Sequence, residues 1–376
     1  MRRLPRRTIL ASVPLLAGCT TLGQPSTETR PRDCTQSTEA TTWTSFQSDP
    51  QNSGSTTHQL ATPPEPNWAL DVGDRDGGIV TTTDTVYLGA GTAASYTQAG
   101  RKNWTVNTGT PVEHTPAFSC QTALYPTLDA VIAVKPDTGT QRWTNQLGAI
   151  HSPILPGNQT YTVCASKTVY HGSLHDGSIN WSFSESDLTQ RGICRTDKTI
   201  YAVAGDNETG TAYAINSTTG ETQWTTDLNG KPLCQPVTAN NKLITITSAG
   251  TIIALNANTG TKLWSQPAPN TRAPTPAIAN DTIYVASGNT DHFVARTLED
   301  GTKRWTAETG PTLAPPVASP NTVLVGTMNR GLIAYSPTGD ERWQRLGNGV
   351  GSPLCVTPDS LLFIDARNTT LQSYTW

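Results

Sequence analysis

Lys135-Pro136-Asp137-Thr138-Gly139-Thr140-Gln141-Arg142-Trp143 holds the phrase that this chain repeats: a turn closed by glycine, followed four residues later by tryptophan. The same spacing recurs at Gly100/Trp104, Gly139/Trp143, Gly177/Trp181, Gly220/Trp224, Gly260/Trp264, Gly301/Trp305 and Gly339/Trp343. A period near 40 residues overrides the two or three domains that 376 residues would otherwise suggest and argues for one repeat array.

Each unit has a common order: a proline, an apolar run, a short turn, a second and a third β-rich run, the glycine turn, then the tryptophan strand. Unit five shows it whole in Gln235-Pro236-Val237-Thr238, Lys242 to Thr247, Thr251 to Leu255, Asn258-Thr259-Gly260 and Trp264. Four short strands at this period are the sequence form of a propeller blade. Proline fits the first position of a strand, where its missing N–H is tolerated, and Pro116, Pro153, Pro236, Pro276, Pro316 and Pro353 stand there. The tryptophan is expected on the outermost strand, packed into the seam with the next blade.

The chain ends decide the blade number. The last unit runs Ser352-Pro353-Leu354, Ser360 to Ile364 and Thr370 to Tyr374, and stops at Trp376 before a fourth strand can form. Near the other end, Pro66-Asn67-Trp68-Ala69-Leu70 reads as a fourth strand with no blade ahead of it, and Pro64 stands where the other copies carry glycine. The expectation is an all-β, eight-bladed propeller of four-stranded blades, its last blade completed by the Trp68 strand. Such closure removes the open sheet edges that recruit other chains.

The first 18 residues read as an export signal: Arg2, Arg3, Arg6 and Arg7, then a short apolar run from Thr8 to Ala17. That run is too short to span a bilayer of about 30 Å. Arg6-Arg7 ahead of Thr-Ile-Leu resembles a twin-arginine signal, and Leu16-Ala17-Gly18-Cys19 resembles a lipobox that makes Cys19 the lipid-modified first residue. Residues 19–42, rich in Thr, Ser, Pro, Glu and Gln, read as a flexible tether, so the folded body is 43–376. Location is expected to be extracytoplasmic, at the membrane through lipidated Cys19. The net charge of −3 includes the four leader arginines, and without residues 1–18 the balance is 22 basic against 29 acidic residues. That surface gives no footing for nucleic acid.

The unit Ala-x-x-x-x-Thr-Gly-x-x-x-Trp, as in Ala133 to Trp143, Ala214 to Trp224 and Ala254 to Trp264, resembles the repeat of the pyrroloquinoline-quinone-like (PQQ-like) propellers. The resemblance covers about residues 43–376 and includes Trp43-Thr44-Ser45-Phe46-Gln47 with Asn52-Ser53-Gly54, similar to the segment that precedes the ring in that family. It implies either a quinoprotein dehydrogenase or a scaffold like the propeller lipoprotein of the outer-membrane barrel assembly machinery. The leader, 8 lysines against 18 arginines and abundant threonine also resemble haloarchaeal surface proteins. For a dehydrogenase the resemblance requires two adjacent cysteines beside the quinone and a carboxylate/amide set for Ca²⁺. The cysteines lie at 19, 34, 120, 164, 194, 234 and 355, with no two adjacent, so PQQ is not supported and no cofactor is expected. The function read from this is a non-catalytic scaffold for other envelope proteins.

Two residues ahead of each strand-opening position, Asp76, His114, His151 and Gln190 form a polar arc over blades one to four, with Arg191 beside it. It is either a ligand or metal site or a hydrated rim. His171 and His175 read as a surface pair. Six cysteines follow Cys19, and Cys194 and Cys234, in blades four and five, are either bridged or buried as free thiols.

Overall fold

The computed structural model describes residues 42–376 apart from 75, 186–190, 207, 270, 271 and 348. The leader, Cys19 and nearly all of the tether therefore lie outside the described residues. The chain divides after residue 32, and all of the described residues belong to the second unit, 33–376.

The second unit is the expected ring of eight antiparallel sheets of four strands each. Blade one is Gly78–Thr81, Thr85–Ala90, Thr92–Thr97 and Lys102–Val106, and blades two to seven follow the same up-and-down order. Blade eight takes Cys355–Val356, Ser360–Ile364 and Thr370–Thr375 from the C-terminus and Glu65–Asp71 from the N-terminus. Trp68 faces Ser373 and Leu70 faces Leu371 in that joint, with a bulge between Pro66 and Trp68. The inner three strands of each blade carry buried Val, Ile, Leu, Tyr and Ala on both faces. The outer strands alternate exposed and half-buried residues, as one-sided strands do.

The tryptophans explain the repeat. The Trp104 indole N–H donates to the Pro136 carbonyl of the next blade at 2.9 Å, Trp143 does so to Leu174 at 3.0 Å and Trp224 to Ala257 at 3.0 Å. Each ring lies flat over the glycine of the neighbour's last turn: a Cβ on Gly139 would stand 2.7 Å from Trp104 Cδ2, and φ there is +69°. Only glycine meets both conditions. Within its own blade the tryptophan opposes a small residue, Ala133, Ala214, Ala254, Ala295 or Ala334, which gives the Ala of the repeat its reason. The eighth seam has no glycine turn to offer. There Trp343 donates to the Leu60 carbonyl at 3.3 Å and meets Trp376 edge to face at 6.4 Å, so both chain ends fill the place of one hairpin.

The signature tryptophans sit in their seams to different depths. Trp68, Trp181, Trp224 and Trp305 are only half-buried, whereas Trp104, Trp143, Trp264 and Trp343 are buried. Trp305 shows how the difference arises. Its indole N–H donates to the Pro337 carbonyl at 2.8 Å and its ring covers Gly339, as the repeat requires. It also packs against the rings of Tyr284, Phe293 and Tyr335 at 5.6–6.0 Å between centroids. The outermost strand has no further sheet beyond it, so an indole there is sealed only where neighbouring side chains reach over it.

Blade three departs from the pattern in another way. His171 occupies the alanine place opposite Trp181, stacks on it at 5.0 Å and hydrogen-bonds through Nδ1 to Thr162 at 2.9 Å. The expected surface pair with His175 is thus corrected: the two-residue alternation of the strand buries His171, whereas His175 lies exposed in the following turn. Burial, with the nearby Arg195 charge, pulls the His171 imidazole down to about 4. Between about pH 6.5 and 4 the unfolded chain binds the proton and the folded ring does not, so stability falls as pH is lowered through that window and levels off below it. The expected loss is on the order of 2 kcal/mol after allowing for partial solvent access. Urea unfolding across this range should show the slope, and His171→Ala should flatten it.

The Cys194–Cys234 bridge weighed from sequence does not form, and both thiols are free. Cys194 packs with Tyr201, Leu243 and Leu255, on the side of blade five that meets blade four. Cys234 packs with Ile244, Ile246 and Ile252, on the side that meets blade six. The sheet of blade five stands between them.

Candidate functional site

Antiparallel strands put the loops between blades and the second-to-third-strand turns of every blade on one face of the ring, where the central channel opens. Below that mouth the channel is filled by the chain itself. Residues 43–56 wind around the inner strands, exchanging backbone hydrogen bonds with blade after blade. Trp43 pairs with Thr81, and the carbonyls of Thr44, Pro50, Gln51, Ser53 and Gly54 accept from Phe118, Arg195, Thr238, Ile278 and Ala318 at 2.7–3.1 Å. The Asn52 amide donates to Ile193 and Pro236 carbonyls at 2.8 and 2.9 Å, and the Gln47 amide reaches Thr275 and Pro276 carbonyls at 3.4 and 3.3 Å. Gly54, with φ +61°, passes so close to Gln47 Oε1 that a Cβ would stand 2.4 Å from it.

Sequence reasoning marked this stretch as preceding the ring and missed that it plugs it. The repeat gives no signal here, because the plug is a single copy held mainly through its backbone. Its irregular run of Trp43, Phe46, Gln47, Asn52 and Gly54 was the available hint. Asp49 closes the plug turn by accepting from the Ser53 amide at 3.0 Å and from the Ser53 hydroxyl, and burial raises its carboxyl despite those bonds.

Above the plug a cavity of about 260 Å³ remains. Phe46 forms its floor, and Pro153, Pro274, Pro315, Pro353, Leu233 and Leu313 make most of its wall. Its polar lining is Glu113, His114, Thr115, Cys234, Gln235 and Thr275. The predicted arc is therefore divided. His114 lines the cavity, half-buried, and burial holds its imidazole below the usual range while a hydrogen bond with the Ile150 backbone works the other way. His151 and Asp76 are not part of the lining: His151 donates its backbone N–H to Cys164 at 2.9 Å, and exposed Asp76 donates its backbone N–H to Asp74 at 3.1 Å. Gln190 lies outside the described residues. Arg191 opens the inner strand Arg191–Arg195, and its side chain is likewise not described.

This lining is a poor match for the quinone of the PQQ-like enzymes. That group carries three carboxylates, and among the described lining residues the charged one is Glu113, a like charge, with no Lys or Arg to receive them. Among the described residues no three His, Cys, Asp or Glu side chains are grouped to hold a metal ion. Burial pushes the Cys234 thiol up to about 12, which leaves it almost no thiolate at neutral pH and makes it a weak nucleophile.

The mouth face has a charge pattern that the composition hides. Over blades one to four it carries Asp74, Asp76, Glu113, Asp129, Glu185, Asp206 and Glu208 against Lys167 among the described residues. Over blades five to eight it carries Lys231, Arg272, Arg330, Arg345 and Arg367 against Asp71, Asp291, Glu308 and Asp365. One half is strongly acidic, and the other is close to charge balance.

The solved structure of BamB from Moraxella catarrhalis superposes with a TM-score of 0.68, covering 84% of this chain and 100% of that one at 16% identity. A europium-containing methanol dehydrogenase gives a TM-score of 0.77, covering 90% and 99% at 13% identity. Quinohemoprotein alcohol dehydrogenase from Comamonas testosteroni gives 0.73, covering 89% and 80% at 10% identity. At these identities the likeness is one of fold. No curated protein sequence matches the chain. The family model described as outer membrane protein assembly factor BamB matches residues 89–208 and 208–352, well over half of the chain. By that match, on a ring of eight PQQ-like blades, this protein belongs to the BamB family of propellers.

Proposed function

We propose that the protein is a lipid-anchored, extracytoplasmic propeller that acts as a non-catalytic scaffold, docking another envelope protein on its channel-mouth face. The observation that carries this reading is the plug. It reduces the channel to about 260 Å³, below the roughly 300–1,000 Å³ of ordinary small-molecule pockets, and leaves the broad charged face as the larger recognition surface. A face acidic over half its area suits a partner with a basic patch, giving fast, salt-sensitive association. Membership of a family described by an assembly factor agrees with protein partners. The export signal of residues 1–18, lipid at Cys19 and a tether over 19–42 supply the envelope location, without a bound quinone and without nucleic acid.

The second reading is a quinone- or metal-dependent oxidoreductase or a small-ligand sensor working through His114 and Glu113, and it is favoured by their place in the cavity lining. One experiment separates the two. The purified chain, supplied with PQQ and Ca²⁺, is expected to show no dye-linked oxidation of alcohols or sugars, while Cys19→Ser is expected to move the protein from the membrane fraction to the soluble one. Turnover would overturn the scaffold, and a Cys19→Ser protein still in the membrane would overturn the lipid anchor.

A further inference from the structure

The wall of the cavity above the plug is rich in hydrogen-bond acceptors and poor in donors. Pro153, Pro274, Pro315 and Pro353 line it, and a proline carries a carbonyl but no N–H. The Leu233 amide is spent on the Ile246 carbonyl at 2.9 Å. Glu113, as a carboxylate, only accepts. His114 donates one ring N–H to the Ile150 backbone, and burial keeps the imidazole neutral, so its other nitrogen is an acceptor. Against these stand the Gln235 amide, whose oxygen is taken by the Ile193 N–H at 2.9 Å, and the hydroxyls of Thr115 and Thr275.

The charge in the lining is negative, and no cation among the described lining residues answers it. Arg272, next in sequence to the lining residue Ala273, lays its stem over Gly288 instead, where a Cβ would stand 2.9 Å from Arg272 Cγ. A space of about 260 Å³ is small for a drug-sized ligand and sufficient for one long side chain. Its lining selects an occupant with an apolar stem, a positive charge, several donors and no acceptor. Arginine answers that description. Its guanidinium presents five N–H donors and no acceptor, sheds water more readily than an ammonium and packs on aromatic faces such as that of Phe46 at the floor. Its methylenes lie well along apolar surface.

We propose that this cavity is the socket for one arginine side chain of the docked envelope protein, its guanidinium held by Glu113 and His114 and its methylenes against the prolines, Leu233 and Leu313. The source of the arginine rests on the docking reading above; the preference of the cavity for a guanidinium does not. In this arrangement the acidic half of the mouth draws the partner in and the socket fixes its register. A central anchor in a walled pocket is also where an interface concentrates its binding energy.

Two measurements test this. Saturation-transfer NMR of the purified full chain with acetyl-Gly-Arg-Gly-amide should give a dissociation constant at least about fivefold below those of the lysine, norleucine and glutamate peptides of the same frame. Glu113→Gln, at an exposed position that leaves the packing alone, should weaken the arginine peptide by about three- to tenfold. Leu313→Trp, which fills the socket from a half-buried place on its wall, should remove that binding. A lysine, norleucine or glutamate peptide that binds as tightly as the arginine one, or arginine binding that both variants leave unchanged, overturns the socket. The second measurement separates the socket from the docking. A photoreactive side chain in place of Asp206 captures the partner in native membranes, and Leu313→Trp in the same chain should cut that adduct by about tenfold or more. An undiminished adduct overturns the socket and leaves the docking in place, whereas no adduct even without Leu313→Trp overturns the docking and leaves the peptide titration to decide the socket.

Discussion

A chain begun at Val72, lacking both the plug and the strand Glu65–Asp71, is expected to yield no stable monomeric ring. The truncation leaves blade eight with three strands and bares the edge of Thr370–Thr375, a ready template for another chain. It also strips Trp343 of the Leu60 carbonyl and removes Trp43 and Leu60, both almost fully buried, from the cluster that joins blades one, seven and eight. Two such side chains contribute about 3–6 kcal/mol, a large part of the roughly 5–15 kcal/mol that holds an ordinary domain together. The channel would lose the carbonyls of Thr44, Pro50, Gln51, Ser53 and Gly54, leaving inner-strand amides without their partners. Size-exclusion chromatography with light scattering should show aggregates or exchanged dimers, and a synthetic peptide of residues 43–71 added during refolding should restore the monomer. A monomer that melts at the same temperature as the full chain, with no peptide, would contradict the closure described here.

The fold was largely legible because its determinants repeat. Glycine and tryptophan four apart mark where one blade leans on the next, and the missing glycine at Pro64 and missing last strand after Tyr374 located the joint. How deeply each tryptophan sits was not legible, since Trp305 and Trp264 share one motif, yet Trp264 is buried and Trp305 only half-buried. Trp376 was correctly set apart from the eight signature tryptophans. Its use was hidden, because filling the eighth seam together with Leu60 depends on where two distant ends meet. The same limit applies to the plug, whose contacts join residue 47 to 275 and residue 52 to 193 through backbone carbonyls that carry no side-chain signature.

The site was legible only in part. His114 was singled out by its offset from the strand-opening proline, and it does line the cavity. His151 and Asp76 share that offset but stay outside the lining, since an equal position along the chain does not set where a side chain points around a ring of eight. His171 was misread because the repeat frame was not extended to the alanine place it occupies, opposite Trp181. The division of charge over the mouth also escaped sequence reading. It is spread over loops tens of residues apart, and only the ring gathers it onto one face.

The central claim is that the mouth face, rather than the channel, recognises another protein. With a photoreactive side chain in place of Asp206 on the acidic half of the mouth, or of Asp359 on the opposite face, the protein is irradiated in its own membranes. Asp206 and Glu208 lie exposed beside each other in one turn, so a docked partner must pass within reach of that turn. The account predicts a discrete cross-linked protein from the mouth position and none from the other. It also predicts that Glu113→Lys with Glu208→Lys, or raised salt, removes the adduct by setting like charge against the partner's basic patch or by screening the attraction. An adduct formed from Asp359 alone, or one from Asp206 that survives both charge reversal and salt, would contradict it.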